Sequence, residues 1–105
     1  MKTTVDIHGT QWTVKLSKGS KIGDNSEQVF LGRTYFCKHL IRIRKGLDRA
    51  NMVQTMRHEL THAFLFEYGI HLTDEESICD FIGAFAGEIT EKADRLVKEL
   101  GHGEE

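Results

Sequence analysis

Apolar and polar residues alternate along the first part of this chain and recur every three or four positions along the second. Val5 and Ile7 alternate with Thr4, Asp6 and His8, and Trp12, Val14 and Leu16 alternate with Thr13 and Lys15. A period of two marks a half-buried strand. His8-Gly9-Thr10 between the two runs is turn-like, so residues 3–16 read as a β-hairpin. Ser17 to Glu27 is polar and contains glycine, which predicts a loop, too short to link two domains. Val29-Phe30-Leu31 and Tyr35-Phe36-Cys37, around Gly32, predict short or irregular strands. Leu40–Arg44 alternates more clearly, with Ile41 and Ile43 facing one way and Arg42 and Arg44 the other.

After Gly46 the period becomes helical. Asp48 can cap a helix that runs to about Tyr68, where Gly69 suits the stop. Val53, Met56, Leu60 and Phe64 form its apolar stripe. A second helix is expected from Thr73, because Thr73-Asp74-Glu75-Glu76 has the capping-box form, with a carboxylate three places after the cap. Ile78, Phe81 with Ile82, Phe85, Ile89, Ala93, Leu96 with Val97, and Leu100 carry that helix to about Leu100. The tail from Gly101 to Glu105 reads as frayed. The whole is expected to be one α+β domain over residues 1–105, in which a small, mainly antiparallel sheet packs against two long helices.

Composition narrows the function. In 105 residues, 14 Lys and Arg stand against 16 Asp and Glu, for a net charge of −2. That balance argues against a nucleic-acid partner recruited by bulk positive charge. No apolar run approaches the length of a membrane span, and the N-terminus lacks a hydrophobic stretch of signal-peptide length. Cys37 and Cys79 have no CxxC spacing, so a cytoplasmic protein with free thiols is expected. Six histidines are many for so short a chain.

Residues 58–62 read His58-Glu59-Leu60-Thr61-His62, the HExxH spacing. On a helix, four residues advance about 400°, so His58 and His62 share a face one turn apart. Two imidazoles so placed can grip one zinc ion. Glu59 beside them is placed to take a proton from zinc-activated water rather than to bind the metal. A chance occurrence competes with this reading, but the motif falls well inside an independently predicted helix.

Catalytic zinc takes three protein ligands as a rule. The following helix offers Glu75, Glu76 and Asp80, of which Glu76 and Asp80 share a face. With Glu76 on the metal, Asp80 can accept the free ring N–H of a ligating histidine. Glu76 has a competing use as the reciprocal carboxylate of the capping box. Glu75 is the main rival ligand, with direct ligation by Asp80 and by His71 behind it.

HExxH on one helix, with a glutamate on the next, resembles the gluzincin arrangement of zinc metallopeptidases. Ile41 to Leu47 and Gln54 to Ala63 resemble small metallopeptidase-like proteins of bacteriophages and prophages, related to the ImmA/IrrE metallo-endopeptidase family. Glu75-Glu76-Ser77-Ile78-Cys79-Asp80-Phe81 resembles their second helix, and the likeness spans about residues 31–90. It implies His58, His62 and Glu76 as zinc ligands, Glu59 as catalytic base, and peptide-bond hydrolysis in a bacterial host cell. The spacing from His62 to the third ligand is shorter here than in larger members, and no appended DNA-binding or sensor domain is expected.

Other residues carry weaker signals. Leu40–Arg44 reads as an edge strand, which in zincins pairs with an extended peptide substrate; an ordinary edge guarded by Arg42 and Arg44 reads as well. Tyr35, Tyr68 and His71 are candidates to polarise the substrate carbonyl, against packing or surface roles. His8, His39 and His102 read as turn or solvated residues, and Cys79 as a small core residue. The expected activity is that of a zinc metallo-endopeptidase, and the alternative is a non-catalytic zinc-binding interaction module.

Overall fold

The computed structural model describes residues 1–101; His102 and the end of the predicted frayed tail lie outside them. The chain runs β1 (Lys2–Ile7), β2 (Thr10–Ser17), α1 (Gly19–Ile22), β3 (Gly32–Tyr35), a 3₁₀ turn (Phe36–Lys38), β4 (Leu40–Arg44), α2 (Arg49–Tyr68) and α3 (Glu75–Glu99). This is an α+β domain with four strands in the order β1-β2-β4-β3. β1 and β2 form the expected hairpin, and His8 and Gly9 both take positive φ, 52° and 87°, at its two-residue turn. β3 pairs antiparallel to β4, while β2 and β4 run parallel.

Leu40–Arg44 is therefore not an edge strand. It is paired with β2 on one side and β3 on the other, which leaves no free backbone edge for a peptide. Its alternation reflects a buried face, Ile41 and Ile43, and a polar face, Arg42 and Arg44. The edges of the sheet are β1 and β3, and β3, on the side of β4, is a strand that a sequence pattern of four residues barely announces.

The inner face of the sheet buries Val5, Ile7, Trp12, Val14, Ile41 and Ile43 against Met52, Met56, Leu60, Ala63 and Phe64 of α2. α3 closes the core with Phe81, Ile89, Ala93, Leu96 and Val97. Each Val, Leu, Ile, Phe or Met among them stabilises the fold by about 1.5–3 kcal/mol relative to exposure. Trp12 is fully buried and donates its indole N–H to Glu67 at 2.8 Å.

Both ends of α2 follow the sequence. The Asp48 side chain accepts from the backbone N–H of Asn51, and Gly69 closes the helix at φ 65°. The start of α3 differs by one residue from the predicted cap. Asp74 is the N-cap, its carboxylate accepts from the N–H of Ser77, and the Ser77 hydroxyl accepts from the N–H of Asp74. Glu76 takes no part in that box. Cys79 is exposed rather than a core residue, because two positions along a helix place it about 160° around from buried Phe81. Ile78 and Ile82 of the predicted stripe are exposed too. The segment predicted as loop contains α1, and Val29-Phe30-Leu31 forms no strand.

Candidate metal centre

α2 holds His58 and His62 one turn apart on an exposed face, with ring centroids 5.0 Å from each other. Nitrogen donors on one tetrahedral zinc stand about 3.3 Å apart, within reach of two imidazoles so disposed. Glu59, one position on and about 100° around the helix, is buried, 6% exposed. A buried carboxylate without a partner is costly. Here the Thr34 hydroxyl of β3 lies 2.7 Å from Glu59 Oε1 and 3.2 Å from the Glu59 carbonyl oxygen.

The approach of β3 to α2 depends on Gly32. A Cβ there would lie 2.7 Å from Thr55 Cγ2, 3.1 Å from Glu59 Cγ and 3.2 Å from the Arg42 carbonyl oxygen. Any side chain would push strand and helix apart. Gly32 thus sets the distance at which Thr34, two residues on and on the same edge strand, reaches Glu59.

Around the motif, Phe30, Arg33, Thr34 and Phe36 border a small cleft of about 250 Å³ onto which His58, Glu59 and His62 open. Beyond His62 lies a more apolar cleft of about 480 Å³, walled by Phe36, Leu65, Phe66 and Ile70, with His71 at its rim. Phe36 separates the two clefts, 6.3 Å from the His62 ring and 5.1 Å from that of Phe66.

The third-ligand candidates are placed less closely. Glu75, Glu76 and Asp80 lie exposed on the first turns of α3, and His71, in the connection before it, shares the apolar cleft with His62. Among the described residues, no three His, Cys, Asp or Glu side chains gather into a group that could hold a metal ion. The two imidazoles are spaced so that they could serve as two ligands of one zinc ion, and among the described residues no third donor is brought to them.

Tyr68 is a packing residue: it stacks on His8 at 4.1 Å and leans on Phe85 at 4.6 Å. The Tyr35 hydroxyl is turned to the Lys21 and Ile22 carbonyls, which fixes α1 over the sheet. His8 and His39 both occupy turns with positive φ, as expected. Thr34, Gly32 and Phe36 escaped the sequence reading. Gly32 was visible as a glycine between apolar fragments, but nothing local marks Thr34 or Phe36.

No protein-family model, curated protein or solved structure matches this chain. Among the described residues, no helix is long and apolar enough to cross a membrane.

Proposed function

We propose that this protein is a zinc-dependent peptidase of the gluzincin kind, with His58 and His62 as metal ligands, Glu76 as the third, and Glu59 as general base. The observation that carries this reading is the division of labour on one turn of α2. Two imidazoles face solvent together, while the carboxylate between them is buried and anchored by Thr34. A carboxylate held beside a ligand pair, rather than among the ligands, is the arrangement that proton transfer to and from a reacting water requires.

Zinc, when bound, supplies Lewis-acid polarisation of the scissile carbonyl and lowers the pKa of water. Glu59 would be the residue to accept a proton from the attacking water and to return it to the leaving amine. Its buried position limits competition from bulk solvent, and the Thr34 hydroxyl fixes one carboxylate oxygen so that the other is available. Glu76 is free for ligation because Asp74 and Ser77 form the cap, and none of its side-chain atoms is hydrogen-bonded among the described residues.

The substrate in this reading is an extended peptide that adds to the open edge of β3, alongside the histidines. The cellular setting it implies is the cytoplasm of a bacterial host, in keeping with the likeness to phage and prophage proteins. A second reading, a zinc-binding interaction module without turnover, draws its support from the absence of a third ligand beside the pair among the described residues.

One comparison decides between them. Wild-type protein loaded with zinc is incubated with a diverse peptide pool, beside Glu59→Gln and a chelated control. Cleavage that needs both zinc and Glu59 supports the peptidase, with a loss of about 10²–10⁴-fold in the variant. Zinc bound at one equivalent with no cleavage supports the module.

A further inference from the structure

The net charge of −2 averages two unlike halves. Residues 1–46 carry nine Lys and Arg against three Asp and Glu, and residues 47–105 carry five against thirteen. Strand pairing concentrates the first set further. Lys2 pairs with Lys15, Lys15 with Arg42, and Arg42 with Arg33. Four cations therefore stand in one row across all four strands, spanning about 14 Å at ordinary strand spacing. Alternation places the row on the outer face, opposite the face that buries Val14, Ile41 and Ile43 under the helices.

Like charges directly opposed across strands disfavour a sheet, and no carboxylate stands in the row to offset them. Lys18 at the cap of α1, Lys21 within it and Lys45 in the turn after β4 add to it. With Lys2, Lys15 and Arg42 they line an open cleft of about 530 Å³ that has no acidic residue in its wall. None of these six is in an ion pair among the described residues. Arg42 is fixed in place by donating to the hydroxyl of buried Ser17 at 2.9 Å.

We propose that this outer face of the sheet binds the phosphate backbone of a nucleic acid, without regard to base sequence and separately from the histidine site. Five of the six cations are lysines, mobile point charges that suit a series of phosphates without fixing one bidentate geometry, as binding without regard to base sequence requires. Nucleic acid is the polyanion whose charge density rewards six unpaired cations by counterion release. The acidic helices lie on the other face, so the field of the whole molecule turns the sheet toward the polymer.

The test is a fluorescence-anisotropy titration of the full chain against labelled random-sequence DNA, single-stranded and duplex. Binding to either form is expected, with a slope of log K against log salt of about −4 to −5 if all six cations engage. Lys15→Gln/Lys18→Gln/Lys21→Gln should weaken it at least about tenfold. Lys38→Gln/Arg57→Gln/Lys98→Gln, which removes the same charge elsewhere, should weaken it far less. Melting curves of both variants establish that they are folded. No binding at about 50 mM salt, or equal loss in both triple variants, overturns the proposal. Tighter binding to polyglutamate than to DNA would assign the cleft to an acidic protein instead. Self-association of the wild type that the first variant abolishes would assign it to a second copy of this chain.

Discussion

The Thr34 hydroxyl, on the edge strand, lies 2.7 Å from Oε1 of Glu59 on the neighbouring helix. Sheet and motif helix are thereby joined at the residue proposed to move the proton. Thr34→Val keeps the shape and removes the donor, leaving a buried carboxylate oxygen unpartnered. The fold should lose about 1–3 kcal/mol, read as a lower denaturant midpoint. Zinc content should not change, since neither histidine is touched, while any peptidase activity should fall. Thr34→Ser should restore both. Unchanged stability in Thr34→Val would mean that Glu59 is satisfied by solvent.

Gly32 tests the spacing of the same two elements. Gly32→Ala places a methyl group 2.7 Å from Thr55 Cγ2 and 3.2 Å from the Arg42 carbonyl oxygen. The strand or helix must shift, at a cost of about 1–3 kcal/mol. The Thr34–Glu59 contact should loosen with it, so Gly32→Ala and Thr34→Val should combine to less than the sum of their separate effects. Full additivity in chemical denaturation would show that the glycine and the hydroxyl act independently.

The His58 and His62 assignment predicts that His58→Ala or His62→Ala abolishes stoichiometric zinc, measured by metal analysis of protein purified without a histidine tag. Because metal bound to the native state adds to its stability, the zinc-dependent rise in melting temperature should vanish as well. One equivalent of zinc in both variants would remove the motif from the metal site.

Stability should carry an acid limb from the far end of α3. The Glu99 carboxyl is held below its ordinary value, first by the hydrogen bond from Thr3 of β1 and then by that from Arg95. A carboxyl with a lowered folded-state pKa stabilises the fold fully above its unfolded value, 4.5. That contribution is lost as pH falls through the lower folded value. Thr3→Val should flatten this limb by lowering stability at neutral pH, by a small amount because the pair is exposed, while stability at strongly acidic pH stays the same. Melting temperature followed from neutral to strongly acidic pH gives the comparison.

Legibility divided along the line between local and non-local forces. The ends of α2 could be read because Asp48 and Gly69 act on backbone groups within one turn of themselves. The motif could be read because helical period alone juxtaposes His58 and His62. The interior place of β4 could not, since strand order depends on how β2 and β4 meet across an intervening strand and helix. Thr34 and Phe36 reach the site only through that arrangement. The cationic row was hidden for the same reason: its four members are scattered between positions 2 and 42, and only pairing register aligns them.

The one-residue shift in the α3 cap separates two roles that the sequence had assigned to a single glutamate. Thr73 and Asp74 are both good cap residues, and Ser77 serves at the third position as well as a carboxylate does. With Asp74 and Ser77 in the box, Asp74→Ala should cost about 0.5–2 kcal/mol of stability. Glu76→Gln should cost little in the metal-free protein, because its side chain holds no cap bond. The zinc affinity should respond in the opposite sense. Glu76→Gln should weaken it strongly and Glu75→Gln slightly, while Asp80→Asn should lower it by about 10–100-fold through the orientation of a histidine ring. Denaturation without metal and zinc titration of the same four variants therefore distinguish cap from ligand. A damaging Glu75→Gln with harmless Glu76→Gln would move the ligand one position along α3. Indifference of all three carboxylates would leave His71, which already shares a cleft with His62, as the third ligand.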